Sequence, residues 1–67
     1  GKDKFMVNVE IDNVLFYLYD MQGKLIFKRK LKSDNTIINC SRLLPGIYIY
    51  TITKEDRVIK GGKWVKL

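Results

Sequence analysis

Apolar and polar positions alternate with a period of two along most of this chain, which is the pattern of strands that bury one face in a sheet. Phe5, Val7, Val9 and Ile11 share one side of a first segment, with Asn8 and Glu10 on the other, so residues 5–11 are predicted as a half-buried strand. Asp12-Asn13 follows, a pair that tolerates positive φ in a hairpin loop. A second strand is predicted over residues 14–19, where Phe16 and Leu18 oppose Leu15, Tyr17 and Tyr19. Asp20-Met21-Gln22-Gly23 reads as a turn. Asp20 can bond the backbone two residues on, and Gly23 supplies a permissive position. Residues 24–31 form the third strand, with Leu25, Phe27 and Leu31 alternating against Ile26, Lys28 and Lys30; its lysines suit a sheet edge or a wet face.

Residues 32–35 read as a turn, residues 36–40 as a short strand with Ile38 and Cys40 on one face, and Ser41 to Gly46 as a longer connection that crosses between sheets. Pro45-Gly46 fits a type II turn, which needs positive φ at the glycine. The next seven residues, Ile47 to Thr53, are all β-branched or aromatic. Both of their alternating rows are largely apolar, so this strand is predicted to be central and covered on both sides or close to it. After a polar turn at residues 54–57 come a strand at Val58-Ile59-Lys60, a bend or bulge at Gly61-Gly62, and a last strand over residues 63–67. In that last strand Lys63, Val65 and Leu67 lie on one side, Trp64 and Lys66 on the other. Six or seven short strands at near-regular spacing predict an all-β fold, an antiparallel sandwich or small barrel, in a single domain.

Composition narrows the function. Sixty-seven residues, 46% of them hydrophobic, make one small globular domain. Stability at this size is roughly 3–5 kcal/mol, and a deep catalytic cleft is not expected. The longest apolar run, residues 14–19, is too short for a membrane-spanning helix. Residues 1–4 are short and polar and show no leader pattern. Because the first strand starts almost at once, the chain is expected to be a domain cut from a longer protein. Thirteen Lys and Arg against seven Asp and Glu give a net charge of +6, which permits attraction to nucleic acid, anionic lipid or lipopolysaccharide without choosing among them.

Histidine is absent and Cys40 is the single cysteine, so no internal disulfide can form and no nucleophile–base pair is apparent. Cys40 reads as a small buried hydrophobe. Asp12, Asp20, Asp34 and Asp56 fall in turns, where aspartate has a local backbone role. Gly61-Gly62 lacks the spacing of a phosphate loop. No catalytic residue, cofactor or metal ligand is therefore expected. Lys24, Lys28, Arg29, Lys30 and Lys32 with Tyr17 or Tyr19 could track a single-stranded nucleic acid. No recognition-module signature accompanies them, and a solvated strand face is the simpler reading. Trp64 reads as a core plug ahead of a carbohydrate platform.

Three ordered motifs carry a resemblance over nearly the whole chain. Tyr19-Asp20-Met21-Gln22-Gly23-Lys24 resembles the Y-D/N-x-x-G-K/R turn of the C-terminal sorting domains of the type IX (Por) secretion system. Ser41-Arg42-Leu43-Leu44-Pro45-Gly46-Ile47-Tyr48 resembles that family's S-x-L-P-x-G-x-Y segment, with a Leu-Pro pair where the family usually has proline and then a small residue. Lys63-Trp64-Val65-Lys66-Leu67 is similar to its lysine-flanked final strand. The family usually opens with an Asn-Pro segment and a strand ahead of the position of Phe5, absent here, so residues 1–67 are expected to form one sorting domain whose first strand is missing.

The resemblance implies an immunoglobulin-like β-sandwich that performs no catalysis and serves as a folded address. It directs an N-terminal cargo across the outer membrane of Bacteroidetes-type bacteria to the cell surface or the medium, and is then cleaved or anchored. Its implied partners are the secretion machinery, outer-membrane shuttle and sortase proteins, and the cargo; nucleic acid is not among them. Recognition is expected at Lys63, Trp64, Val65, Lys66 and Leu67, with Asp20, Gly23, Leu43, Pro45, Gly46 and Tyr48 supporting the fold. A basic nucleic-acid module, or an accessory carbohydrate- or protein-binding sandwich, is the alternative. A bare edge left by a missing first strand could pair with a second copy.

Overall fold

The computed structural model describes residues 4–9, 13–31 and 34–67. Six strands run through them in chain order: β1 (Lys4–Val9), β2 (Val14–Tyr19), β3 (Leu25–Leu31), β4 (Asp34–Asn39), β5 (Gly46–Lys54) and β6 (Arg57–Lys66). All pairings are antiparallel. β1 and β4 form a two-stranded sheet, and the other four form a sheet in the order β3-β2-β5-β6.

The period of two explains how the sheets meet. Val14, Phe16 and Leu18 of β2 are buried, while their neighbours Leu15, Tyr17 and Tyr19 are half-buried. Register places Ile52 of β5 and the stem of Arg29 beside Phe16, and Tyr50 and Phe27 beside Leu18. Leu31, Tyr48 and Ile52 complete this inner row. Val7 of β1, Ile38 of β4 and Cys40 belong to the same buried cluster, so the two sheets enclose one core as an all-β sandwich. Phe16 sits at its middle, stacked on Tyr50 at 5.9 Å and tilted against Phe27 at 6.3 Å. Burying a side chain of this size contributes about 1.5–3 kcal/mol, a large share of the stability of so small a domain.

Several boundaries differ from the alternation reading. β1 ends at Val9, and residues 10–12 and 32–33 lie outside the described residues. β1 is not the hairpin partner of β2; it pairs with β4 in the other sheet, and Asn13, just before β2, has φ 62°. Asp34 and Asn35 are not a turn but open β4, held opposite Val9 and Asn8. In β3 a register shift opposite Leu18/Tyr19 sets Leu25 across from Tyr19 and leaves Ile26 as the extra residue. Ile26 therefore packs against the core, and Leu25, expected inside, is exposed.

β5 is central, between β2 and β6, but it is covered on one face only. Its outward residue Ile47 is exposed and Ile49 half-buried, because the second sheet lies on the other side. The two last predicted strands are one strand, β6, whose irregularity falls at Ile59 rather than at the glycines. Gly61 and Gly62 stay in register with Thr51 and Tyr50. A Cβ on Gly62 would stand 3.0 Å from the Tyr50 hydroxyl and 3.2–3.3 Å from its ring, so glycine there is a matter of close approach rather than bending.

Candidate functional site

The tail of β6 is the last strand of the four-stranded sheet and has β5 on one side. Alternation divides its residues. Lys63, Val65 (52% exposed) and Leu67 (80% exposed) face outward. Trp64 turns inward, partly buried against the core, with its ring 5.8 Å from that of Tyr48.

Lys66 shares the inward row and is only 6% exposed. Its Nζ donates to the backbone carbonyls of Cys40 at 2.7 Å, Ser41 at 3.2 Å and Leu43 at 2.5 Å. An ammonium carries three N–H donors, and three carbonyl acceptors converge on this one. Such charge-assisted bonds compensate the cost of taking a cation out of water. Lys66 thus fastens the end of the chain to the connection between β4 and β5. Alternation had already put it in one row with Trp64; a tryptophan in the core carries Lys66 in with it.

The connection is ordered by its own bonds as well. Asn39 Oδ1 accepts from the Ser41 N–H at 2.9 Å, and the Leu43 N–H donates to the Cys40 carbonyl at 3.0 Å. Leu43 packs against the core, and the hydroxyl of buried Tyr48 donates back to the Leu44 carbonyl at 2.5 Å. Pro45 lies in a bend, and Gly46 opens β5 opposite Lys66 with φ 155°. The φ is positive, as expected, in a range that side chains other than glycine rarely adopt, but it is far from the roughly +80° of the third residue of a type II turn. Burial raises the pKa of the Cys40 thiol, and nearby Lys66 and Arg29 pull weakly in the opposite direction.

The other motif lies in the β2–β3 hairpin. Asp20 Oδ1 accepts from the N–H groups of Gln22 and Lys24, both at 2.9 Å. The Asp20 N–H donates to the Lys24 carbonyl, and the Gly23 N–H to the Asp20 carbonyl, each at 3.0 Å. Gly23 takes φ 86°, a region that costs other residues about 1–2 kcal/mol. The turn is a closed local knot around one carboxylate.

Of the basic and aromatic residues, Tyr17 and Tyr19 stack on each other at 6.3 Å on the outer sheet face, where Lys28 is the neighbour of Tyr17 in register. Arg29 lies in the opposite row, its guanidinium carbon 6.0 Å from the centroid of Phe27; Lys32 is outside the described residues. A cavity of about 360 Å³, lined by Phe27, Asn39, Ser41, Arg42 and Leu43, opens beside the connection that Lys66 holds. Nothing in the strand pattern signals it, since its walls come from β3, the end of β4 and the connection that follows. Among the described residues no three His, Cys, Asp or Glu side chains gather as a metal site.

Comparison with known families gives one finding: the family model described as Secretion system C-terminal sorting domain matches residues 1–66. Comparison with curated proteins and with solved structures yields no match.

Proposed function

The chain belongs to the family of secretion-system C-terminal sorting domains, the type IX signal, and from that premise we propose that the outward row of β6 is the surface the export machinery reads. A domain of this family is an export address attached to an N-terminal cargo, and its destination is the cell surface or the medium. The finer reading assigns Lys63, Val65 and Leu67 to contact with the machinery, and Trp64 and Lys66 to holding that row in place from behind. After export the domain is cleaved off or anchors its cargo at the surface.

One observation carries the assignment. The final strand is the outermost strand of its sheet, and from Lys63 onward its side chains alternate between an exposed row and an inward row of half-buried Trp64 and buried Lys66. The exposed row offers one cation and two apolar groups, a combination that suits strand addition or groove docking with a partner. Asp20, Gly23, Leu43 and Tyr48 make backbone bonds or core contacts that support the frame.

The test keeps fold and address apart. A reporter fused ahead of the domain is expressed in a bacterium carrying the secretion system, with Lys63→Ser, Val65→Asn and Leu67→Asn combined. These positions are exposed, so the melting temperature should stay within a few degrees of the parent while export falls at least tenfold. Undiminished export by a variant that retains its melting temperature would refute the assignment. Deleting residues 63–67 is less informative, because it also removes Lys66 from its three carbonyls.

A further inference from the structure

We propose that the cavity beside the β4–β5 connection is a binding site for an organic oxyanion, a phosphate or carboxylate head carried on a flat apolar body. The walls are of two kinds. Phe27 and Leu43 supply apolar surface, and both already pack against the core, so they are fixed in place. Asn39, Ser41 and Arg42 supply polar groups. The Asn39 Oδ1 is taken by the Ser41 N–H, which leaves its amide N–H groups as donors. Arg42 is exposed at the wall; the Arg29 guanidinium, outside the lining, lies 6.0 Å from the Phe27 ring centroid and adds positive charge nearby. Among the described residues no carboxylate lines the cavity.

Charge and shape point the same way. A guanidinium presents a rigid fork that matches carboxylate and phosphate oxygens two at a time. The Arg42 guanidinium in a wall shared with the Phe27 ring selects an anion with a flat body above a neutral molecule or a cation. The volume is in the range of small-molecule sites, and larger than an isolated inorganic ion needs. The site is also preformed. Lys66 Nζ grips the Cys40, Ser41 and Leu43 carbonyls from the core side, so the wall does not have to be ordered by a ligand. None of this depends on the outward row of β6, and a failure of either reading leaves the other standing.

The experiment is an NMR titration of the ¹⁵N-labelled domain with phenyl phosphate, benzoate and glucose 1-phosphate, and with phenol and glucose as neutral counterparts. Saturable shifts centred on the amides of Phe27, Ser41 and Leu43 are expected with at least one of the two aryl anions and with neither neutral compound. The tighter of phenyl phosphate and benzoate identifies the head, and glucose 1-phosphate binding tightest would overturn the flat apolar body. Arg42→Gln should weaken binding at least tenfold, while Arg57→Gln, the same charge loss in the β5–β6 hairpin, should leave it within twofold. Silence with all three anions, equal shifts from the neutral compounds, or equal losses in the two variants would overturn the proposal.

Discussion

Replacing Lys66 by methionine tests the most unusual contact in the domain. Methionine keeps the length and the apolar stem but removes the ammonium. The Cys40 carbonyl then loses a donor in a buried setting, which costs about 1–3 kcal/mol. The Ser41 and Leu43 carbonyls are part-buried, and water can reach them, so each lost bond there costs closer to about 0.5–1.5 kcal/mol. Against these losses stands the relief of no longer burying a cation. The net is a destabilisation of about 2–3 kcal/mol, two-fifths or more of the roughly 3–5 kcal/mol available to a domain of this size. Urea unfolding followed by the fluorescence of Trp64, whose ring packs on Tyr48, should show the midpoint fall by about 2 M, taking a slope near 1 kcal/mol/M. Lys63→Met in the same strand should change stability by less than about 0.5 kcal/mol. Equal midpoints for the two variants would refute the reasoning, since they would mean the three carbonyls do as well with water as with the ammonium.

Other perturbations follow from local geometry. Asp20→Ala removes the acceptor of two backbone N–H groups and should cost about 1–2 kcal/mol by thermal unfolding, whereas Asp20→Asn, which keeps one oxygen, should cost less. Glu55 and Asp56 occupy the β5–β6 turn at φ 51° and 64°, so the double change Glu55→Asn with Asp56→Gly should raise stability by about 0.5–1 kcal/mol, read as a higher melting temperature. The Cys40 thiol has its pKa raised by burial above an ordinary value near 9.0. Above that pH the unfolded chain holds fewer protons than the folded one, so the thiol's contribution is full below it and is lost as pH climbs further. Urea midpoints from pH 7 to pH 10 should therefore fall more steeply for the parent than for Cys40→Ala.

What could be read from residue order depended on the range of the interaction. The Asp20 turn was legible because its carboxylate, its N–H partners and its glycine all lie within five positions. β2 was legible because burial repeats every second residue within it, and β5 because its run of β-branched and aromatic residues favours a strand. Pairings between strands were not. β1 sits beside β4 rather than β2, and no local signal distinguishes a hairpin loop from a crossing between sheets when both use Asp-Asn. Gly62 looked like a bend because only the fold brings the Tyr50 ring over it. Lys66 reads as a surface cation by residue type. Its three acceptors lie 23 to 26 positions away, and only the shared row with Trp64 hints that it turns inward.

The distance in sequence between Lys66 and its acceptors also sets a clock. The chain is made from its N-terminus at about 5–20 residues per second, so the Leu43 carbonyl, 23 positions earlier, waits one to several seconds for its donor. Until then the central strand lacks its last neighbour, and a message cut short before this lysine yields a body that cannot latch. Anything fused ahead of the domain is thereby certified as translated through to its address before that address becomes stable.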